Sequence, residues 1–182
     1  MLTIPRAAVA FFVSAAVSVA HAAPIWRDPS PHKAAFVTVD HGVKLEVLDW
    51  GGTGRPIILI AGLGGTAHAF DDFAPKLDAD FHVYGVTRRG YGASSVPRTG
   101  YSADRLGDDV VAVIKTLELQ KPVLVGHSFG GQEVSDVATR YPDLISGVVY
   151  LDAVYPTTQS TTTKRCIGTS SGSSRSWHCR SI

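Results

Sequence analysis

Ser128 is the residue whose neighbours best suit nucleophilic chemistry. It lies in Gly126-His127-Ser128-Phe129-Gly130, a G-x-S-x-G pattern. Val123 to Val125 before it read as a short apolar strand. From Gly130 onward, Val134, Val137, Ala138 and Tyr141 fall at helical spacing. A serine on so sharp a strand-to-helix turn is lifted clear of the sheet, and the flanking glycines let strand and helix approach each other. The helix start beneath it aims unpaired N–H groups at any anion formed there. The five residues alone would mark an ordinary turn; the strand before and the amphipathic helix after favour a nucleophile. A serine in that role attacks esters, thioesters, lactones or amides.

The elements that must position this turn are legible along the chain. Ala35–Val39 and Val43–Trp50 flank Asp40-His41-Gly42 and read as an antiparallel hairpin, with His41 in the turn. Pro56–Ile60 is a continuous apolar run, as expected of a strand buried on both faces. It ends in Ala61-Gly62-Leu63-Gly64-Gly65. Thr66 then suits the cap of a helix with Phe70, Phe73, Ala74 and Leu77 on one face, and His68 reads as an exposed first-turn residue. Phe81–Val86 is the next strand, with His82 packed or on the surface. Arg88 to Ser95 form a glycine-rich loop. Ser102 can cap a helix whose apolar positions are Leu106, Val110, Val113, Ile114 and Leu117. Asp104, Asp108 and Asp109 near its start suit the helix dipole and read as a solvated face, not a metal site. Gly147–Asp152 is one more apolar strand. Strands alternating with helices predict an α/β fold, a mostly parallel sheet with an N-terminal antiparallel hairpin.

Composition narrows the function classes. The chain has 182 residues, room for one domain and one sizeable core. A net charge of +1 gives no electrostatic case for nucleic acid. The two cysteines, Cys166 and Cys179, lack zinc-site spacing, and a disulfide between them would close only a short loop. No metal or cofactor is expected. Residues 1–22 read as a signal peptide. Arg6 forms the positive region, Ala7–Ala20 the apolar stretch, and Ala20-His21-Ala22 the small-x-small site. The apolar stretch is shorter than the ~20 residues that span a bilayer. The expectation is export to the periplasm or medium, without a stable membrane span. Residues 157–182 are mostly serine and threonine with Lys164, Arg165, Arg175 and Arg180 and no acid. They read as a disordered or aberrant tail, such as a frame shift would leave.

Residues 34–156 form the partial domain between these ends, and from about Phe36 to Pro156 the chain resembles the α/β-hydrolase superfamily of serine hydrolases. Three motifs carry the resemblance: Gly126–Gly130, the loop Ala61–Gly65, and Thr87-Arg-Arg-Gly-Tyr-Gly-Ala-Ser94. The last is similar to the family's Asp-x-Arg-Gly-x-Gly-x-Ser, with Thr87 in place of aspartate. Ala61-Gly62 stands where the family often has His-Gly. The resemblance implies Ser128 as catalytic nucleophile and the backbone N–H groups of Phe129 and Leu63 as the oxyanion hole. It also implies a small-molecule ester or amide as partner, and it leaves the oligomeric state open.

The family places its acid and then its histidine after the serine. Here only Asp152 ends a strand, where a variant acid could sit; a loop or capping role suits it better. Glu133 and Asp136 lie on the helix, Asp143 follows it, and the one downstream histidine, His178, lies in the tail. His127 adjoins the serine, but its side chain should diverge at so sharp a turn. The resemblance therefore implies an incomplete α/β-hydrolase fold lacking the last strands and cap, a truncated chain with an impaired triad. Two alternatives stand beside a working hydrolase. One is a catalytically inactive remnant. The other is a dinucleotide-binding (Rossmann-type) domain, from Gly62-x-Gly64-x-x-Ala67 after a strand, with Arg88 and Arg89 available to a phosphate.

Overall fold

A computed structural model describes residues 30–154 and the backbone of two further strands, Lys164–Thr169 and Ser176–Ser181. The expected signal peptide, residues 1–22, lies outside the described residues, as does most of the tail.

Six strands make the main sheet: β1 (Lys33–Asp40), β2 (Val43–Gly51), β3 (Arg55–Ile60), β4 (Phe81–Val86), β5 (Val123–His127) and β6 (Gly147–Leu151). Their spatial order is β1-β2-β4-β3-β5-β6. The hairpin β1–β2 is antiparallel and β2 joins β4 antiparallel. From there β4, β3, β5 and β6 run parallel. The fold is thus the expected α/β arrangement. Two helices follow β4 and β5: α1 (Ala103–Thr116) and α2 (Gly130–Arg140).

Ile57–Ile60 of β3 and Val123–Val125 of β5 are continuously apolar because both faces of the sheet are covered there. Ile58, Ile60 and Leu124 point to the side where α1 and α2 pack with Val110, Val113, Ile114, Val134 and Val137. Ile57, Leu59 and Val125 point to the other side, against Trp50, Phe70 and Ala74. Successive side chains alternate between the two clusters, as the strand period requires. At the outer end β6 pairs only with β5 among the described residues, and all five of its residues are half-buried.

Two local readings need correction. The stretch after Thr66 is not a helix but two short 3-10 turns, Ala67–Phe70 and Ala74–Lys76, and Thr66 makes no side-chain cap. Pro75 supplies no N–H for a continuous α-helix there, so the chain breaks into turns that still bury Ala67, Phe70 and Ala74. Nor are the three acids of α1 all solvated. Asp109 is 2% exposed, because its turn of the helix faces the buried Arg89. Within the tail, Lys164–Thr169 and Ser176–Ser181 pair as an antiparallel ribbon separate from the main sheet, with Cys166 opposite Cys179 in register.

Ile58 sits at the centre of β3 with no exposed surface. Ile58→Ala should lower the stability of the chain by about 2–5 kcal/mol, read from the denaturant midpoint in chemical unfolding.

Candidate functional site

The chemistry-bearing residues meet at the carboxyl ends of β3, β4 and β5. Ser128 follows β5 directly and is half-buried. Its φ is 50°, in the left-handed region that a side chain enters at a cost of roughly 1–2 kcal/mol. Neighbouring segments hold it there. The Ser128 N–H donates to Leu151 O at 3.2 Å, and Val154 N donates to Ser128 O at 3.0 Å. The turn is thus pinned by the exit of β6 as well as by its own strand.

The two flanking glycines have a steric reason. A Cβ on Gly126 would fall 2.6 Å from Gly130 O, and one on Gly130 would fall 2.6 Å from Ile60 O. Strand, helix and the end of β3 touch through bare backbone. Gly62 is as close: a Cβ there would lie 3.0 Å from Ser128 Cβ and 3.2 Å from His127 Nδ1. The loop Ala61–Gly65 therefore lies against the serine turn at Gly62. No hydrogen bond among the described residues uses the N–H of Leu63 or of Phe129. The Leu63 side chain itself is 69% exposed.

Beneath this loop lies a group that the sequence reading missed. Arg88 is almost fully buried and forms an ion pair through Nε with Glu133 Oε1 on α2. Its other nitrogens donate to two successive carbonyls of the loop, Nη1 to Gly62 O at 3.2 Å and Nη2 to Ala61 O at 2.9 Å. Its guanidinium also lies 5.2 Å from the Phe129 ring centroid and 5.6 Å from that of Tyr91. Arg89 turns the other way and forms a two-bonded pair with Asp109 at 2.6 and 2.7 Å. Burial pushes the Glu133 carboxyl up to about 7, against the opposing pull of Arg88.

The rest of the glycine-rich loop is knitted to the hairpin. Thr87, which replaces the family's aspartate, donates from Oγ1 to Glu46 Oε2 at 2.7 Å and accepts from Ala67 N. Ser94 Oγ donates to Thr87 O and accepts from Glu46 N. A cavity of about 650 Å³ opens beside them, lined by His32, Glu46, Thr66, His68 and Gly92; Ser128 is not among its lining residues.

His32, His68 and Asp71 also come together near this cavity and could be considered for a cation. The spacing argues otherwise. His32 Nδ1 stands 2.8 Å from Asp71 Oδ1, which also accepts from Trp50 Nε1 at 3.1 Å. That is hydrogen-bond spacing. Two donors on one tetrahedral zinc, with bonds of about 2.0–2.1 Å, stand roughly 3.3 Å apart. The cluster ties the segment before β1 onto the first 3-10 turn, and His68, expected to be exposed, lies partly buried within it.

The sequence-derived proton-transfer candidates are not brought to the serine. Among the described residues, no imidazole or carboxylate is hydrogen-bonded to Ser128 Oγ. Glu133 is committed to Arg88 and Asp136 to Arg140. Asp152 follows β6 with a φ of 43° and is exposed. His178 lies in the strand Ser176–Ser181, whose side chains are outside the description. The dinucleotide alternative fails on geometry. Gly62-x-Gly64-x-x-Ala67 leads into a four-residue 3-10 turn, not a helix whose dipole could hold a pyrophosphate. Arg88 and Arg89 are 5% and 2% exposed and are spent on carboxylates.

Comparison with known proteins agrees with this geometry. The profile of the alpha/beta hydrolase fold family matches residues 55–168. A 2-(acetamidomethylene)succinate hydrolase of Mesorhizobium japonicum is 35% identical over 101 residues, which are 56% of this chain and 36% of that one. A bifunctional esterase/perhydrolase of Acinetobacter calcoaceticus is 36% identical over 126 residues, 66% of this chain and 45% of that one. The crystal structure of an E-2-(acetamidomethylene)succinate hydrolase superimposes with a TM-score of 0.65 at 31% identity, over 69% of this chain and 46% of that one. The chain thus spans less than half the length of these relatives.

The raised Glu133 carboxyl gives a pH signature. Below its ordinary value of 4.5 the group is protonated whether the chain is folded or not. As pH rises toward about 7, the unfolded chain loses that proton first, so folding becomes less favourable. Wild-type protein should therefore lose stability relative to Glu133→Gln between pH 4.5 and about 7, measured as the difference between their unfolding free energies across that range. A flat difference would contradict the assignment.

Proposed function

The chain belongs to the alpha/beta hydrolase fold family, and from that premise we propose an exported serine hydrolase that cleaves an ester, thioester, lactone or amide by nucleophilic acyl transfer. The observation that carries the reading is Ser128 itself: an L-residue held at a φ of 50° on a strand-to-helix turn, with Gly62 packed against it. Strain of this kind persists only where the surroundings enforce it, and it gathers at functional positions.

In this reading Ser128 Oγ attacks the substrate carbonyl carbon and its proton passes to a base. The carbonyl oxygen becomes an oxyanion between the N–H groups of Leu63 and Phe129, neither of which has a protein acceptor among the described residues. Each such donor contributes about 3–4 kcal/mol to the transition state. The oxyanion then collapses: the carbonyl re-forms, the bond to the alcohol, thiol or amine breaks, and the base returns its proton to that leaving group, so that an acyl-Ser128 ester remains. Water, activated by a base, then adds to this ester, and its collapse releases the carboxylic acid and restores the Ser128 hydroxyl. Hydrolases and esterases among the relatives support acyl chemistry, and serine at position 128 suits it.

A second reading is a non-catalytic remnant. It is favoured by the lack, among the described residues, of an imidazole or carboxylate bonded to Ser128 Oγ. The oxyanion hole and binding alone leave a triad enzyme about 10³–10⁴-fold above water, so a folded chain with no base should still show slow acylation by a reactive probe.

A fluorophosphonate probe should label the chain at Ser128, located by peptide mass spectrometry, and Ser128→Ala should remove the label. A cooperatively folded chain that stays unlabelled over hours would select the remnant. Export has its own readout: the intact mass of exported protein should begin at Ala23, whereas a mass beginning at Met1 would remove the signal-peptide reading.

A further inference from the structure

We propose that Arg88, braced by Glu133, is a positioning residue that sets the Gly62–Leu63 peptide so that the Leu63 N–H faces the reacting oxygen. This rests on the reading of Ser128 as nucleophile. In a trans peptide the C=O and N–H point in opposite directions, and the unit rotates as one rigid plane. The carbonyl of Gly62 and the N–H of Leu63 belong to the same plane. Whatever fixes the carbonyl also aims the N–H.

The Gly62 carbonyl is fixed twice. It accepts from Arg88 Nη1 at 3.2 Å and from Gly65 N at 3.1 Å. Gly65 belongs to the loop itself and can move with it. Arg88 cannot: Nη2 holds the preceding carbonyl, Ala61 O, at 2.9 Å, and Nε is paired with Glu133 on α2. Gly62 has no side chain to resist a peptide flip, so its orientation depends on these bonds. A flip would bring the carbonyl oxygen to where the N–H stood, facing a developing anion, and would leave a buried guanidinium nitrogen without its acceptor. The same guanidinium lies over the Phe129 ring, so one side chain touches both the Gly62 carbonyl, whose peptide carries the Leu63 N–H, and the side chain of Phe129. The planar fork matters here. A lysine ammonium could reach one or two of these acceptors but could not hold a carboxylate and two adjacent carbonyls in a fixed plane.

The test uses the full chain, two variants and two readouts. Arg88→Lys keeps the charge and removes the fork. Arg88→Met with Glu133→Leu replaces the buried pair by apolar groups of similar length, a change that buried pairs often tolerate without unfolding. The first readout is fluorophosphonate labelling as a function of probe concentration, which separates the maximal rate from probe affinity. Both variants should melt cooperatively, and their maximal labelling rate should fall roughly 10–100-fold, approaching the effect of losing one oxyanion donor. Apparent probe affinity should change by less than about threefold, because the donor acts on the developing charge and not on the bound ground state. The second readout is amide hydrogen exchange. The Gly65 N–H, which depends on the Gly62 carbonyl, should exchange about tenfold faster in both variants, while Leu59 within β3 keeps its wild-type rate.

Folded variants with wild-type labelling rate and wild-type Gly65 exchange would overturn the proposal. So would an equal loss of protection at Gly65 and Leu59, which would mark general loosening. If the wild-type chain never labels, the hydrolase reading fails, and the exchange result alone decides whether Arg88 sets the loop. If the double variant does not fold, Arg88→Lys decides.

Discussion

Two adjacent arginines enter the interior, and each buried charge has to be paired where it stops. Arg89 goes to Asp109 on α1, and Arg88 goes to Glu133 on α2. Neither helix can shift without breaking an ion pair, and losing one partner of a buried pair costs about 3–5 kcal/mol. Yet such a pair adds little stability over apolar groups of the same volume. What the pairs add here is position. Apolar packing of Val110, Val113, Val134 and Val137 on the sheet would tolerate small sliding of either helix. The charged pairs fix both helices to one loop, residues 88–89, at the end of β4.

The serine turn depends on the same kind of constraint at backbone level. Gly126 and Gly130 bring strand, helix and the end of β3 within distances that no Cβ would allow, and Gly62 packs tightly on the side chains of His127 and Ser128. Contacts through bare backbone bury N–H and C=O groups, which need partners inside the molecule. Ser128 finds them in Leu151 and Val154, and the loop carbonyls of Ala61 and Gly62 find them in Arg88. Close approach and buried arginine are therefore one design problem. The glycines bring the loop and the turn together, and the guanidinium satisfies the carbonyls that this proximity seals from water.

Much of this was legible in the sequence, for reasons that can be stated. The strands were legible because burial on both faces leaves continuous apolar runs such as Ile57–Ile60 and Val123–Val125. The serine turn was legible because its steric demand forces glycine at fixed positions. The helix expected after Thr66 was misread: Phe70, Phe73, Ala74 and Leu77 have helical spacing, but two turns joined around Asp71 to Phe73 bury Phe70 and Ala74, cover Leu77 in part and leave Phe73 exposed. Asp109 was misread because an acid near a helix start suits solvent and dipole equally well, and its partner lies 20 residues away. Arg88 and Glu133 are 45 residues apart. No local pattern joins them. The one available signal was the excess of arginine in a loop with too few nearby acids to pair it.

The remaining asymmetry lies between the two halves of acyl chemistry. Charge stabilisation needs fixed donors, and the groups that would fix the proposed ones lie within residues 60–65, 88, 126–133 and 151–154. These segments hold one another directly, so their geometry depends on few other parts of the molecule. Proton transfer has the opposite requirement. In the proposed reading a base would have to reach Ser128 Oγ, and among the described residues no imidazole or carboxylate is hydrogen-bonded to it. The exposed stretch after β6, beginning at Asp152, leaves the sheet at that edge, beside the residues that hold Ser128 in its strained conformation.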